Sequence, residues 1–257
     1  MLIERQRLQD NFSRAASGYD LRATRQRREN MRVLEAALDV LPQIGTIADI
    51  GCGTGYFAAE ARGVRPEWKV LGIDMSMGMC EIAGLRCQAI AGDAAQLPLA
   101  DESMDGAVSS LCYQWVEDQP NAFTELARVM KPESKVVMAT LGERTLHELR
   151  ECAMEADLPL SLLPMRNFAA HKALLAVAGF EVVHAERRVV TDHYASVTDL
   201  LESMRSIGAG NNFGLKSRHF VGPKRWVAME ALYEKLRTDH GIPATWEHQF
   251  FILHKPA

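Results

Sequence analysis

The chain has 257 residues, of which 47% are hydrophobic and 24% charged, and its formal net charge is −4. These values are ordinary for a globular protein with a sizeable core, and they exclude a disordered or collagen-like chain. The negative net charge argues against a nucleic-acid-binding protein. No apolar run is long enough to cross a bilayer, and the first residues lack the apolar stretch of a signal peptide. We therefore predict a cytoplasmic protein with no membrane partner.

Positive charge is concentrated in two segments despite the negative total. Residues 1–32 carry eight arginines against four acids, and residues 203–229 carry five basic residues and no acid. Two interpretations remain open for both segments, namely solvated helical faces or surfaces that meet an anionic partner. The five cysteines form no C-x-x-C pair and the histidines show no metal-ligand spacing, so we expect reduced thiols and no metal site.

Strands and helices alternate along the chain. After a helix over 21–41, apolar and turn patterns predict strands at 46–50, 69–74, 87–93, 104–110, 135–141, 180–190 and 246–255. The segments between them predict helices following the glycine-rich turn at 51–55 and at 77–84, 118–130, 145–156, 168–178, 197–207 and 223–240. This alternation implies parallel pairing with right-handed crossovers. The fold class is therefore α/β, a doubly wound sheet with a helical insertion before the last strand.

No linker divides the chain, so a single domain is expected over 1–257. Within it we distinguish an N-terminal helical segment (1–42), a cofactor-binding core (45–142) and a helical substrate- or partner-binding insertion (196–240).

The most specific motif is D-I-G-C-G-T-G, from Asp49 to Gly55, between the first predicted strand and the next helix. Its glycines allow a sharp turn and close approach of a ligand, and the helix that follows directs its N-terminal amides toward an anion. The dinucleotide fingerprint G-x-G-x-x-G is absent, because Tyr56 follows Gly55 and the third glycine comes one residue early. A P-loop is also excluded, since no Lys-Ser or Lys-Thr follows the glycines.

Two further acids end neighbouring strands. Asp74 ends the second strand, where a carboxylate can accept hydrogen bonds from both ribose hydroxyls, and Asp93 follows the third, within reach of an adenine amino group. Taken singly, either acid could cap a helix or shape a turn. Together with the glycine loop they predict a site for an adenosine-type cofactor.

The glycine loop, the acid at Asp74 and the G-D-A-x-x-L-P sequence at 92–98 resemble class I S-adenosylmethionine-dependent methyltransferases. The resemblance implies a Rossmann-like, mostly parallel sheet with a C-terminal antiparallel strand. It also implies that S-adenosyl-L-methionine is the cofactor and S-adenosyl-L-homocysteine the product. By position, it assigns cofactor binding to Asp49, Gly51, Cys52, Gly53, Gly55, Asp74, Met75, Asp93, Ala94 and Ser110.

Motifs outside the core are similar to those of the BioC family, the malonyl-acyl-carrier-protein O-methyltransferases of biotin biosynthesis. They are F-S-R-A-A-S-G-Y-D (12–20), C-Y-Q-W-V-E-D (112–118), E-L-x-R-V (125–129), T-L-x-E-R-T-L-x-E-L (140–149), M-R-S-I-G-A (204–209) and P-A-T-W-E (243–247). Two positions depart from the family pattern: K-P-E-S at 131–134 replaces K-P-G-G, and Trp246 replaces a common Tyr. This resemblance implies transfer of a methyl group to the free carboxylate of malonyl-acyl carrier protein, or of malonyl-CoA.

A carboxylate acceptor is already ionised at neutral pH, so it needs a cation to hold it more than it needs a base. Arg205 and Arg14 are the candidates for that cation, although Arg205 could equally pair with Glu202. The further candidates are the hydrogen-bond donors Tyr19, Tyr113 and Gln114 and the pocket wall Trp115. Tyr113 and Trp115 could also be packed core aromatics.

Two other functions remain open. The chain could methylate a different small acceptor, such as a quinone precursor or another carboxylic acid, because the core is shared by many methyltransferases. Alternatively, it could bind the cofactor as a regulator and transfer nothing.

Overall fold

The computed structural model describes residues 2–162, 164–210, 213–215 and 223–257, with only the backbone for 2–4, 161–162 and 213–215. Lys216 and Arg218 of the second basic segment lie outside the described residues, as does part of the predicted insertion at 196–240.

Within these residues the strands are β1 (Gly45–Ile50), β2 (Trp68–Asp74), β3 (Gln88–Ala91), β4 (Met104–Ser110), β5 (Met130–Leu141), β6 (Leu160–Leu162), β7 (Glu181–Tyr194), β8 (Phe213–Leu215) and β9 (Ile242–His254). The helices are α1 (Leu2–Ala15), α2 (Tyr19–Arg22), α3 (Thr24–Val40), α4 (Tyr56–Val64), α5 (Met77–Ala83), α6 (Gln119–Val129), α7 (His147–Glu155), α8 (Phe168–Val177), α9 (Val197–Ser206) and α10 (Pro223–Glu234). Short 3₁₀ turns cover Ala16–Gly18 and Tyr113–Trp115.

Seven strands form one sheet in the order β3-β2-β1-β4-β5-β9-β7. The first five in this order pair in parallel, whereas β9 is antiparallel to both β5 and β7. The predicted α/β fold with a C-terminal antiparallel strand is therefore confirmed. Because parallel strands end at one edge, the segments after β1, β2, β3 and β4 meet there, and so the glycine loop lies beside Asp74 and Asp93.

Helices cover both faces of the sheet, as a mostly parallel sheet requires. On one face, α3 and α4 bury Val33, Leu34 and Phe57 against β1, β4 and β5. On the other, α6 and α8 bury Phe123 and Leu175 against the same sheet. β9 serves both clusters, since Phe250 faces the first and Phe251 the second, and for this reason the strand is buried almost throughout.

A third apolar cluster joins the insertion helices α9 and α10 to α7 and the start of β9. Polar contacts reinforce this junction and connect two family motifs. The Thr245 hydroxyl donates to the buried Glu148 carboxylate, and the Arg144 backbone N–H donates to Glu247 at 2.9 Å. The T-L-x-E-R-T-L-x-E-L and P-A-T-W-E motifs therefore stabilise each other.

Several boundaries differ from the sequence prediction, among them the start of β5, which is Met130 rather than 135. The helix predicted over 223–240 ends at Glu234, before a turn whose Gly241 has φ +116°, a conformation that favours glycine. The last strand starts at Ile242 rather than 246, and β7 continues to Tyr194 because β9 pairs with it throughout. The small β6–β8 pair was not predicted. In the part of the chain that the structure describes, no helix is long and apolar enough to span a membrane.

Candidate active site

The glycine loop turns sharply between β1 and α4. Gly51, Gly53 and Gly55 have φ values of +75°, +53° and +75°, which other residues rarely adopt. A Cβ at Gly51 would lie 2.3 Å from the Cβ of Cys112, so this glycine allows close packing beneath the loop. A Cβ at Gly53 would have no atom within 4 Å, and the loop therefore borders open space at this position.

Asp49, at the base of this loop, is 2% exposed, and one of its carboxylate oxygens has no hydrogen-bond partner among the described residues. Burial, with a contribution from the charge of Asp74, raises the pKa of Asp49 from 3.8 to about 7. Because a buried, ionised carboxylate is costly without a partner, a cationic ligand group beside Asp49 would stabilise its charged form. Ser110, at the end of β4, has a buried hydroxyl oxygen with no hydrogen-bond partner in the described part of the chain. The buried Cys52 thiol donates to the Gly53 carbonyl at 3.7 Å.

Asp74 lies across the loop from Asp49. Its two oxygens accept hydrogen bonds from the Gly53 N–H at 2.9 Å and the Ser76 N–H at 2.8 Å. Burial raises the pKa of Asp74, and these two donors oppose that shift. Each oxygen retains a lone pair, so the carboxylate can still accept from a ligand hydroxyl.

The N-terminal segment covers this loop. The Ser13 hydroxyl lies 2.8 Å from that of Ser76, at the start of α5. Asp20 accepts from the Thr54 hydroxyl at 2.6 Å and pairs with Arg86 at 2.7 Å. The F-S-R-A-A-S-G-Y-D motif thus connects the N-terminal helices to the glycine loop.

The predicted adenine-binding residues lie at the same edge. Asp93 accepts from the Ala95 N–H at 2.9 Å and pairs with Arg5 of α1 at 2.5 Å. Ala94 is buried and Met75 is half-buried. Sequence reasoning did not foresee Arg5, because an exposed arginine in a long helix gives no signal of its partner.

A cavity of about 640 Å³ lies between the N-terminal segment, β7, β9 and α9. It adjoins the glycine loop through Tyr19, whose pKa is raised by burial and by the charge of Asp74. Other residues that line the cavity include Phe12, Arg22, Arg25, Arg28, Glu29, Arg32, Glu35, Leu111, Gln114, Trp115, Arg188, Asp192, Met204, Ile207, Ala209, Trp246 and His248.

Three of the predicted acceptor-site residues line this cavity: Tyr19, Gln114 and Trp115. The Gln114 amide donates to the Leu111 carbonyl at 2.6 Å and accepts from the Thr140 hydroxyl at 3.1 Å, which fixes its orientation. The Trp115 ring meets that of Phe12 edge to face, with centroids 5.5 Å apart.

The other three predicted residues do not line this cavity. Tyr113 is fully buried in the core, 4.9 Å from the Phe123 ring, so it does not border the cavity. Arg205 and Arg14 are exposed and outside the cavity lining, since α9 and α1 turn apolar faces inward and leave these cations on the outer side. No ion pair between Arg205 and Glu202 occurs in the described residues.

Among the described residues, five other arginines line the cavity, and three of them join α3 to β7. Arg25 pairs with Asp192, Arg188 pairs with Glu29, and Arg32 pairs with Glu186 at 2.6 Å. The guanidinium of Arg25 also lies 3.6 Å from the Trp246 ring centroid. The many arginines of residues 1–32 pointed to a basic surface in this segment. Composition alone did not show which of them line the cavity.

Glu29 is the buried centre of that wall, 2% exposed. Burial alone would raise its pKa, but His248 at 3.3 Å and the charges of Arg188 and Arg32 outweigh it and hold the pKa below the ordinary value of 4.5. Glu29 is therefore a carboxylate that fixes surrounding cations.

Comparisons with known proteins agree with this arrangement. Residues 48–138 match the family described as "Methyltransferase domain". The chain is 32% identical to the malonyl-(acyl-carrier protein) O-methyltransferase of Gallionella capsiferriformans, over all of this chain and 92% of that one. It is 34% identical, over 97% of its length and 46% of the relative's, to the biotin biosynthesis bifunctional protein BioHC of Saccharophagus degradans.

Among solved structures, phosphoethanolamine N-methyltransferase 2 of Haemonchus contortus in complex with S-adenosyl-L-methionine superposes with a TM-score of 0.56 at 19% identity. The alignment covers 90% of this chain and 53% of that one. At this identity the likeness shows a common fold.

Proposed function

The chain belongs to the malonyl-(acyl-carrier protein) O-methyltransferase family, and we propose that it transfers a methyl group from S-adenosylmethionine to the free carboxylate of malonyl-acyl carrier protein. It is an enzyme of biotin biosynthesis, and its product is the malonyl methyl ester. The ester removes a charge that would be costly to bury in the apolar pockets of chain-elongating enzymes.

The observation that carries this proposal is the arginine-lined cavity beside the glycine loop. Tyr19, Gln114 and Trp115 line it, Tyr19 lies close enough to Asp74 to feel its charge, and arginines line its walls. An acceptor with a negative group fits such a cavity better than a neutral one.

The loop residues fit the cofactor. The unpartnered Asp49 oxygen suits an ammonium group such as that of a methionine moiety, and the open space at Gly53 allows a ligand to approach the backbone. Asp74 and Asp93 would bind the ribose hydroxyls and the adenine amino group. When bound, S-adenosylmethionine supplies a methyl group on a positively charged sulfur; the methyl–sulfur bond breaks as a carboxylate oxygen forms the ester bond, and no proton is transferred.

The protein's own contribution is therefore to position the acceptor and exclude water. Tyr19 has a raised pKa and remains a neutral hydrogen-bond donor at physiological pH. Two hydrogen bonds fix the Gln114 amide, so this side chain would meet the acceptor in a single orientation. Trp115 and Phe12 provide an apolar wall.

The partner would be an acidic carrier protein bearing a malonyl thioester, with malonyl-CoA as the other possible source of the same acyl group. The arginines of residues 1–32 would attract such a carrier, mainly by raising the association rate. Added salt should then weaken the reaction with the carrier protein more than that with a short thioester.

The test is to incubate the protein with S-adenosylmethionine and either malonyl- or acetyl-acyl carrier protein, and to follow both by intact mass spectrometry. We expect a methyl group on the malonyl species alone, removable by an esterase. Malonyl-CoA in a parallel reaction distinguishes the two sources. Cofactor binding without transfer to either malonyl thioester would refute the proposal.

A further inference from the structure

We propose that Arg22 is the residue that holds the acceptor's free carboxylate, an inference that rests on the proposed function and assigns its specificity to one side chain. The five arginines that line the cavity in the described part of the chain are not equivalent. Arg25, Arg32 and Arg188 each already pair with a carboxylate of the protein, so their charge is largely neutralised. Within the described residues, Arg22 and Arg28 make no ion pair.

Arg22 lines the cavity on the same short helix as Tyr19, the residue that borders the glycine loop. It ends α2, the short helix that begins with Tyr19, and its neighbour Asp20 is bound to the glycine loop through Thr54. The Asp20–Thr54 contact therefore holds the backbone of α2, which carries the Arg22 side chain. The guanidinium packs over Gly18, where an added Cβ would be 3.0 Å from its central carbon.

A chain of contacts connects Arg22 to Trp115. Its guanidinium donates to the Ser206 carbonyl at 3.4 Å, a long and weak bond that leaves other donors available. In the same turn, Gly208 packs against Phe12, since a Cβ there would lie 2.9 Å from the Phe12 Cα. Phe12 in turn packs on Trp115. Arg22, Phe12 and Trp115 are therefore connected through one packed segment and line the same cavity.

Arg28 lies on the other side. It is on α3, between Arg25 and Arg32 along the same helical face, and both neighbours pair with β7. At 1.5 Å per residue it is about 6 Å along the helix from Thr24, the residue at which α3 begins after α2. Arg28 is thus part of the α3–β7 wall and not of the end that Tyr19 borders.

Arginine suits this task because its planar fork can bind one carboxylate oxygen while the second remains free to attack the methyl group. The interaction also distinguishes substrate from product. The acceptor loses its negative charge on methylation, so the ester would be bound less tightly and released.

The test measures binding rather than turnover. Protein loaded with S-adenosylhomocysteine is titrated calorimetrically with malonyl-pantetheine and with acetyl-pantetheine. We expect the wild type to prefer the malonyl compound at least tenfold, as a charge-assisted hydrogen bond allows. Arg22→Gln should reduce the preference to about threefold or less by weakening malonyl binding, with acetyl-pantetheine and S-adenosylhomocysteine affinities unchanged. Arg22→Lys should restore part of it.

Two variants serve as comparisons. Arg187→Gln removes an exposed arginine of β7 outside the cavity lining and should behave as wild type. Arg28→Gln should keep the malonyl preference. A preference that persists in Arg22→Gln, or that is lost in Arg28→Gln instead, would overturn the assignment while leaving the proposed function intact. A wild type that neither prefers nor methylates the malonyl compounds contradicts both.

Discussion

The carboxylate of Asp20 accepts a 2.6 Å hydrogen bond from the hydroxyl of Thr54, and this contact attaches the N-terminal segment to the middle of the glycine loop. The other oxygen of Asp20 pairs with Arg86, which also donates to the Thr54 carbonyl at 3.1 Å. The three residues form a closed polar network on one side of the loop. The loop geometry is therefore supported before any ligand binds.

Breaking this network should weaken cofactor binding. Asp20→Ala leaves Thr54 and Arg86 without their shared acceptor, and the loop loses a hydrogen bond to a charged group. We expect S-adenosylhomocysteine affinity to fall about tenfold, corresponding to ~1.4 kcal/mol. Isothermal titration measures the change. Asp39→Ala, which removes an exposed acid of α3 with no ion pair in the described residues, should leave the affinity unaltered, and equal losses in both variants would argue against the network.

Substitutions of two loop glycines should affect different properties, one the stability of the fold and the other cofactor affinity. Gly51→Ala places a methyl group 2.3 Å from Cys112 at a positive φ, so it should destabilise the fold by at least ~2 kcal/mol. Gly53→Ala carries only the backbone strain of about 1 kcal/mol, because its Cβ meets open space. It should remain folded and lose cofactor affinity. Thermal melts and cofactor titrations separate the two effects; a stable Gly51→Ala protein would contradict the packing argument.

Asp49 should make both stability and cofactor binding depend on pH. Its pKa is about 7 in the folded protein against 3.8 ordinarily, so the folded state retains a proton that the unfolded chain has lost. Stability therefore falls as pH rises from about 4 to 7. Asp49→Asn should avoid this loss and be more stable than wild type at pH 8 by about 2–4 kcal/mol, a difference that shrinks toward pH 4.

The same substitution should abolish the pH dependence of binding. In the wild type, affinity for S-adenosylhomocysteine should increase as pH rises through 7, because the ionised carboxylate is the form that binds an ammonium group. In Asp49→Asn the affinity should be low at every pH. Urea unfolding and cofactor titration between pH 5 and 8 check both expectations, and an unchanged affinity in the variant would exclude Asp49 from the site.

Glu29 should contribute stability that acid removes. Glu29→Gln leaves Arg188 and Arg32 without their buried counter-charge and should cost about 2 kcal/mol at pH 7. Because the pKa of Glu29 is held below 4.5 in the folded state, its contribution is complete above that pH and is lost as the pH falls below it. The difference in free energy of unfolding between the wild type and Glu29→Gln should therefore become smaller at low pH. Glu35→Gln, an exposed acid of the same helix, provides the control in denaturant titrations.

The sequence determined the features that depend on local pattern. The alternation of strands and helices, together with the resemblance, predicted the sheet, and the D-I-G-C-G-T-G motif predicted a tight turn because three glycines in five positions suit positive φ angles. The strand-end positions of Asp74 and Asp93 followed from the rule that parallel strands end at one edge. None of these predictions required knowledge of how distant segments pack.

The tertiary structure decided which side chains face the acceptor. Arg14 and Arg205 came from family motifs, but helix packing leaves both on outer surfaces, whereas Arg22 lines the cavity because Asp20 anchors its helix to Thr54. Tyr113 lies in the core because the 3₁₀ turn after β4 directs it toward Phe123. The orientation of a charged side chain depends on contacts between segments that are far apart in the chain, and one sequence does not specify those contacts.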